Sequence, residues 1–127
     1  MSIRILVIDD EEVIRKSFLR ALEDTDYEVE TAETGEKGIL KARENKFDLI
    51  FLDLKMPGLN GVETLRELWK IGQTVPIYIV TAFYDDFREQ LERAADDKIS
   101  FYLLKKPVDL DEIRSLARVV AERQVRF

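Results

Sequence analysis

Apolar residues gather in five short runs: Ile3–Ile8, Val29–Ala32, Leu49–Leu52, Val75–Val80 and Ile99–Leu104. Three of these are rich in Ile, Leu and Val and show little alternation with polar residues. A strand with one wet face alternates, whereas a strand covered on both faces stays apolar throughout. The runs therefore predict buried strands of a parallel sheet. Between them, apolar residues recur at helical spacing. Val13, Ile14, Phe18, Ala21 and Leu22 make one stripe. Gly38, Ile39 and Ala42 make a second, small enough to approach a sheet closely. Val62, Leu65, Leu68 and Trp69 make a third, and Phe87, Leu91, Ala94 and Ala95 a fourth. Ile113, Leu116, Ala117 and Val120 make the last.

Turn residues fall where this alternation needs them. Pro57-Gly58 and Asn60-Gly61 break the chain after the third strand. Asp109 stands where an N-cap would open the last helix, with Glu112 three residues on as in a capping box. Five βα units in succession predict an α/β fold with a doubly wound parallel sheet between helical layers. A length of 127 residues fits one domain, with a core from about residue 3 to 120. Residues 121–127 would extend the last helix or lead toward a further domain.

Composition narrows the chemistry. With 46% hydrophobic and 36% charged residues, the chain can bury a core and solvate its surface. A net charge of −6 argues against direct binding of nucleic acid, because nothing offsets phosphate repulsion in bulk. Neither Cys nor His occurs, which removes disulfides, thiolate metal sites, the usual zinc ligand and any phosphohistidine within the chain. The opening MSIRILVIDD lacks the pattern of a signal peptide, and no apolar stretch nears the ~20 residues of a membrane span. The expectation is a cytoplasmic protein with no membrane contact.

Ligands of open parallel sheets bind beyond the carboxyl ends of the strands. Those ends carry Asp9 and Asp10, Asp53, Thr81, and Lys105-Lys106. If the first and third strands are neighbours, three carboxylates converge. Two like charges at ~4 Å repel by about 4 kcal/mol at an effective dielectric of ~20, so the set calls for a cation. Oxygen ligands alone suit Mg²⁺. Taken singly, Asp10 could simply cap a helix and Asp53 could simply end a strand. Taken together, beside a lysine and a threonine, they describe phosphoryl transfer. Asp53 would be the carboxylate nucleophile, Mg²⁺ on Asp10 and Asp53 would offset charge, and a lysine and Thr81 would hold phosphoryl oxygens. No Gly-rich loop opens a helix as a nucleoside triphosphate site requires.

The segments ILVIDDEE, DLIFLDLKMPGLNGVE, PIYIVTA and LLKKPVDLDEI resemble those of response-regulator receiver domains, and the likeness runs from about Ile3 to Val120. The chemotaxis receiver of that family has the flavodoxin-like strand order 2-1-3-4-5. The resemblance implies five flanking helices and Asp53 as phosphoacceptor. It implies Mg²⁺ held by Asp10, Asp53 and the carbonyl of Lys55, with Asp9 acting through a water. Thr81 and Lys106 would contact phosphoryl oxygens, and the Lys106–Pro107 bond would be cis. It implies a sensor histidine kinase or a histidine phosphotransfer protein as donor, and slow autodephosphorylation rather than turnover of a separate substrate. Output would leave through the face of the fourth helix, fifth strand and fifth helix, toward an output domain or a partner protein.

Some positions depart from the family pattern. The stretch from Thr81 to Lys106 is longer than usual and contains Asp96-Asp97-Lys98, which predicts irregularity in or after the fourth helix. Strand alternation puts only one of Lys105 and Lys106 on the active side, and the Lys-Pro step favours Lys106. Counting three residues back from Lys106 for an aromatic switch gives Leu103, with Phe101 and Tyr102 as offset matches. Tyr102 could act as the switch or simply pack against the sheet edge. Lys55 and Phe83 would flank the path of the hydrolytic water. Two rivals remain: a receiver-like interaction module that takes no phosphate, and an aspartyl-nucleophile phosphohydrolase of the haloacid-dehalogenase type. The second lacks its usual acid two residues after the nucleophile, where Lys55 stands.

Overall fold

The computed structural model describes residues 2–123. Its elements follow in the order β1 (Arg4–Ile8), α1 (Glu12–Leu22), β2 (Glu28–Ala32), α2 (Gly35–Glu44), β3 (Leu49–Leu52), α3 (Gly61–Lys70), β4 (Ile77–Thr81), α4 (Tyr84–Asp96), β5 (Tyr102–Lys105) and α5 (Leu110–Arg123). The five strands pair in parallel in the order β2-β1-β3-β4-β5. The last helix thus includes Ala121 to Arg123, and the rest of the expected extension lies outside the described residues.

Non-alternating strands have the predicted cause. Leu6, Ile8, Ile50, Leu52 and Ile79 pack with Ile39, Leu65 and Leu91 on the α2, α3 and α4 side. Ile5, Val7, Leu49, Phe51 and Val80 pack with Phe18, Leu22, Ile113 and Val120 on the α1 and α5 side. Each fully buried Leu or Ile contributes about 1.5–3 kcal/mol, so this double core fixes where the strands end. Gly38 permits the close approach of α2, since an added Cβ would lie 2.3 Å from Ile8.

Three residues of the expected stripes are not core. Val13 is 73% exposed, Ala95 is exposed, and Trp69 lies at the rim of its stripe. The fourth and fifth strands also start later than their apolar runs. Pro76 has no N–H to give a ladder, and its carbonyl instead accepts from Ile50 before β4 begins. Ile99 lies just past α4, where its N–H donates to the Ala94 carbonyl and closes that helix.

The expected irregularity falls just after the helix, at Lys98, and not within it. Helix α4 runs unbroken for 13 residues and closes in a Schellman motif, with Ile99 N–H donating to Ala94 and Lys98 N–H to Ala95. Helix α3 closes the same way, through Gln73 to Leu68 and Gly72 to Trp69. Gly72 takes the left-handed position at φ 84°, while α4 places Lys98 there at φ 68°. A side chain in that conformation costs about 1–2 kcal/mol.

Caps fix two further helix starts. Asp109 accepts from the Glu112 amide at 2.7 Å, as the sequence predicts. Asn60 and Glu63 form a full capping box on α3, in a stretch that reads only as a chain break in the sequence.

Candidate functional site

Register brings the acids together. Ile8 lies opposite Leu52 in the β1–β3 ladder, so Asp9 and Asp53, each one residue further, leave adjacent strand ends side by side. The backbone fixes both: Asp9 N–H donates to Ala32 at 3.0 Å and Asp53 N–H to Ile8 at 2.9 Å. Beneath Asp53, α3 packs directly on the strand end. A Cβ on Gly61 would fall 2.2 Å from the Asp53 carbonyl oxygen, so no larger residue fits. On the other side, Thr81 ends β4 opposite Lys105, and Lys106 N–H donates to the Thr81 carbonyl at 3.0 Å.

Side chains complete the cluster. Asp9, Asp10 and Asp53 each place a carboxylate oxygen within 4.8 Å of the others. Asp9 and Asp53 are buried, and Asp10 is exposed. Lys106 reaches in from the β5 end, with Nζ 3.1 Å from Asp9 Oδ2, 3.4 Å from Asp53 Oδ1 and 3.7 Å from Glu11 Oε1. The Leu54 amide donates to Asp53 Oδ1 at 2.9 Å. Both of these groups address Oδ1 of Asp53. The Thr81 hydroxyl accepts from the Phe83 amide at 2.8 Å, which leaves its proton available for an incoming oxygen. Thr81 also lines a cleft of about 330 Å³ with Phe83, Tyr84, Asp85 and both lysines.

Electrostatics mark the cluster as short of positive charge. Burial raises the Asp9 carboxyl above the ordinary carboxylate range, against the pull of the Glu11 amide and Lys106. Burial, reinforced by the charge of Asp9, pushes Asp53 up to about 7. Burial alone would lower Lys106, but Asp53 and Asp9 outweigh it and hold the ammonium above its ordinary value. One ammonium does not neutralise three carboxylates. An oxygen-only donor set with one exposed member fits a hard divalent cation.

The geometry separates the two lysines. Lys106 enters the acid cluster, whereas Lys105 lines a cleft with Thr81, Tyr84, Arg88 and Leu103. Leu103, and not Tyr102, shares that cleft. Tyr102 stacks on Tyr78 at 4.8 Å between ring centroids, at the edge of the sheet. The Lys55 side chain leaves the acids and places its ammonium 4.4 Å from the centre of the Phe83 ring. The Lys106–Pro107 bond is cis. Two residues of the site are absent from the sequence reading, Glu11 and Arg15. Arg15 donates to the Asp9 carbonyl at 2.9 Å. Their signal was faint: two charged residues four apart at the start of a helix that follows the paired aspartates.

The fold is flavodoxin-like, with an acid-rich rim at the carboxyl ends of its strands. Residues 5–118 match the response regulator receiver domain family, and the chain belongs to that family. It is 36% identical over 123 residues to the response regulator ArlR of Staphylococcus saprophyticus, covering 95% of this chain and 53% of that one. It is 36% identical over 126 residues to the response regulator MprA of Mycobacterium sp. strain KMS, covering 97% and 52%. The chain therefore spans about half the length of these relatives. Among solved structures, it is similar to a CheY-like receiver domain protein of Methanospirillum hungatei JF-1, with TM-score 0.82, 28% identity and 98% of each chain covered. It also resembles the chemotaxis protein CheY4 of Vibrio cholerae, with TM-score 0.78, 27% identity and coverage of 94% and 99%. No helix among the described residues is long and apolar enough to cross a membrane.

Proposed function

We propose that this receiver domain takes a phosphoryl group on Asp53 from a histidine kinase or a histidine phosphotransfer protein, in a Mg²⁺-dependent reaction. The observation that carries this reading is the meeting of Asp9, Asp10 and Asp53 within 4.8 Å, with Lys106 3.4 Å from Asp53.

In the proposed reaction, a carboxylate oxygen of Asp53 attacks phosphorus. The bond from phosphorus to the donor nitrogen breaks, that nitrogen keeps the electron pair, and an acyl phosphate forms. Negative charge spreads over the phosphoryl oxygens in transit, so positioned cations and donors lower the barrier. Lys106 is one such cation, held before reaction by Asp9 and Asp53. The Thr81 hydroxyl is a donor held in place by its bond from Phe83. Asp10, Asp53, the Lys55 carbonyl and, through a water, Asp9 would hold Mg²⁺, which supplies the charge that Lys106 alone does not. Water later attacks the acyl phosphate slowly, near Lys55 and Phe83. The domain acts on its own Asp53 rather than turning over a separate substrate.

Signal output follows from the same rim. Thr81 and Lys105 sit in a cleft with Tyr84, Arg88 and Leu103, so movement at Thr81 reaches α4 and β5 directly. The α4–β5–α5 face would carry the state of Asp53 to an output domain or partner protein. Beryllofluoride with Mg²⁺ should shift the amide resonances of Thr81 and residues 84–105. Shifts confined to the neighbours of Asp53 would refute the coupling.

Intact mass after incubation with acetyl phosphate and Mg²⁺ tests the central reading. The wild-type chain should gain one phosphoryl group, and Asp53→Asn should gain none. An unmodified wild-type chain would favour an interaction module that takes no phosphate. Steady release of phosphate from small esters would favour a hydrolase.

A further inference from the structure

Asp10 presents a puzzle of placement. It is exposed, yet its carboxylate lies with two buried ones around a common point. The residues on either side hold it there. The Asp9–Asp10 peptide is fixed through its carbonyl, which accepts from Arg15 Nη1 at 2.9 Å. The Asp10–Glu11 peptide is fixed through its N–H, which donates to Asp9 Oδ1 at 2.9 Å. Asp10 thus hangs between two peptide planes, each pinned by one hydrogen bond.

Arg15 itself is held in position. It is half-buried on the first turn of α1, where its own N–H donates to the Glu11 carbonyl at 3.1 Å. Glu33 lies in the turn between β2 and α2. Glu33 pairs with Lys37 and also feels the Arg15 charge.

We infer that Arg15 is a positioning residue that orients the Asp9–Asp10 peptide and so aims Asp10 at the cation site. The inference rests on the Mg²⁺ reading above. Charge and orientation make opposite predictions, which makes the role testable. A cation beside three carboxylates weakens binding of a second cation, so loss of its charge alone would tighten Mg²⁺ binding. Loss of orientation would weaken it, and residues that orient metal ligands typically contribute about 10-fold or more in affinity.

The experiment is Mg²⁺ titration followed by calorimetry and by amide chemical shifts, on wild type, Arg15→Met, Arg15→Lys and Asp10→Asn. Arg15→Met should weaken Mg²⁺ binding about 10-fold. Arg15→Lys should recover part of the loss, because an ammonium can still donate to the Asp9 carbonyl. Without metal, Arg15→Met should shift the Asp10 and Glu11 amides while distant amides keep their wild-type positions. Binding by Arg15→Met as tight as wild type, or tighter, overturns the inference. So do unchanged Asp10 and Glu11 amides. Loss of dispersed resonances throughout Arg15→Met would transfer the decision to Arg15→Lys, where wild-type affinity together with unmoved amides overturns it. Failure of wild type to bind Mg²⁺ would instead strike the metal reading, and the metal-free shifts would still test the role of Arg15.

Discussion

Two charged clusters occupy opposite ends of β1, and they are built on opposite principles. At the amino end, Arg4 lies 3.1 Å from Glu28 and 2.9 Å from Glu30, and Lys41 adds a 3.3 Å contact to Glu30. Two cations face two glutamates there, all partly open to water. The Arg4 side chain also covers the Phe47 ring at 5.5 Å. At the carboxyl end, Asp9 and Asp53 are only 2% and 4% exposed and share one lysine with Glu11, with the Asp10 carboxylate beside them. The first cluster is balanced and solvated, so it serves the fold. The second is buried and acid-rich, and in the proposed function a cation and a phosphoryl group would complete it. Size is a poor guide to which end matters: a cleft of about 610 Å³ lies at the amino end, between the α2 and α3 termini.

The sharpest way to break this contrast is Lys106→Met. It leaves two buried carboxylates without their ammonium, and such a loss costs about 3–5 kcal/mol. Denaturant unfolding at pH 8 should show that loss. Below pH 7 the loss should shrink, because Asp53, already pushed up to about 7, takes a proton and no longer needs the partner. An equal loss at both pH values would mean that Lys106 acts by packing alone.

Asp53→Asn should move stability the other way. The carboxyl of Asp53 is raised in the folded state, so its favourable contribution is complete below the unfolded value of 3.8 and fades as pH rises to about 7. Above that, ionised Asp53 burdens the metal-free fold by up to about 4 kcal/mol. Asp53→Asn should therefore unfold at higher denaturant than wild type at pH 8 and lose that advantage near pH 4. Mg²⁺ should stabilise wild type far more at pH 8 than at pH 5.5, since metal ligands must give up their protons. A destabilised Asp53→Asn at pH 8 would show that the acids at this end are already balanced.

Helix α4 ends toward the amino side of the sheet and offers a smaller contrast. Lys98 occupies the left-handed position that Gly72 fills at the end of α3. Lys98→Gly should raise stability by about 1 kcal/mol, seen as a higher melting temperature, with phosphoryl uptake unchanged. Gly72→Ala should lower stability by a similar amount. A neutral Lys98→Gly would mean that the Lys98 side chain makes compensating contacts.

The same contrast explains what the sequence could show. Strands β1 and β3 were legible because burial on both faces leaves a continuous apolar run, and their ends then locate Asp9, Asp10 and Asp53. Thr81 followed from the end of the fourth strand, whereas Lys106 was separated from Lys105 only by the Lys-Pro step that the receiver resemblance supplies. The start of β5 was not legible, because Ile99 is apolar for a different reason: its side chain is buried in the core on the α4 side, just past the end of that helix. Val13 was misread because a helical stripe does not reveal where its edge meets water. Arg15 was hidden because its partner is a carbonyl, and backbone acceptors leave no trace in side-chain patterns. The sequence thus exposes charge that is concentrated and unbalanced far better than charge that supports a peptide plane.

Arg4→Met is the mildest test and the one that isolates the amino end. Exposed ion pairs contribute about 0–1 kcal/mol and are screened by salt. Methionine preserves much of the cover over Phe47 while removing the charge, so the expected loss is below about 1 kcal/mol in low salt. In ~1 M salt the Debye length falls to about 3 Å, and the difference from wild type should nearly vanish. Phosphoryl uptake on Asp53 should be unaffected, because the two clusters sit at opposite ends of the same strand. A loss of several kcal/mol that persisted in high salt would place Arg4 among the buried supports of the fold, and the two ends of β1 would no longer differ in kind.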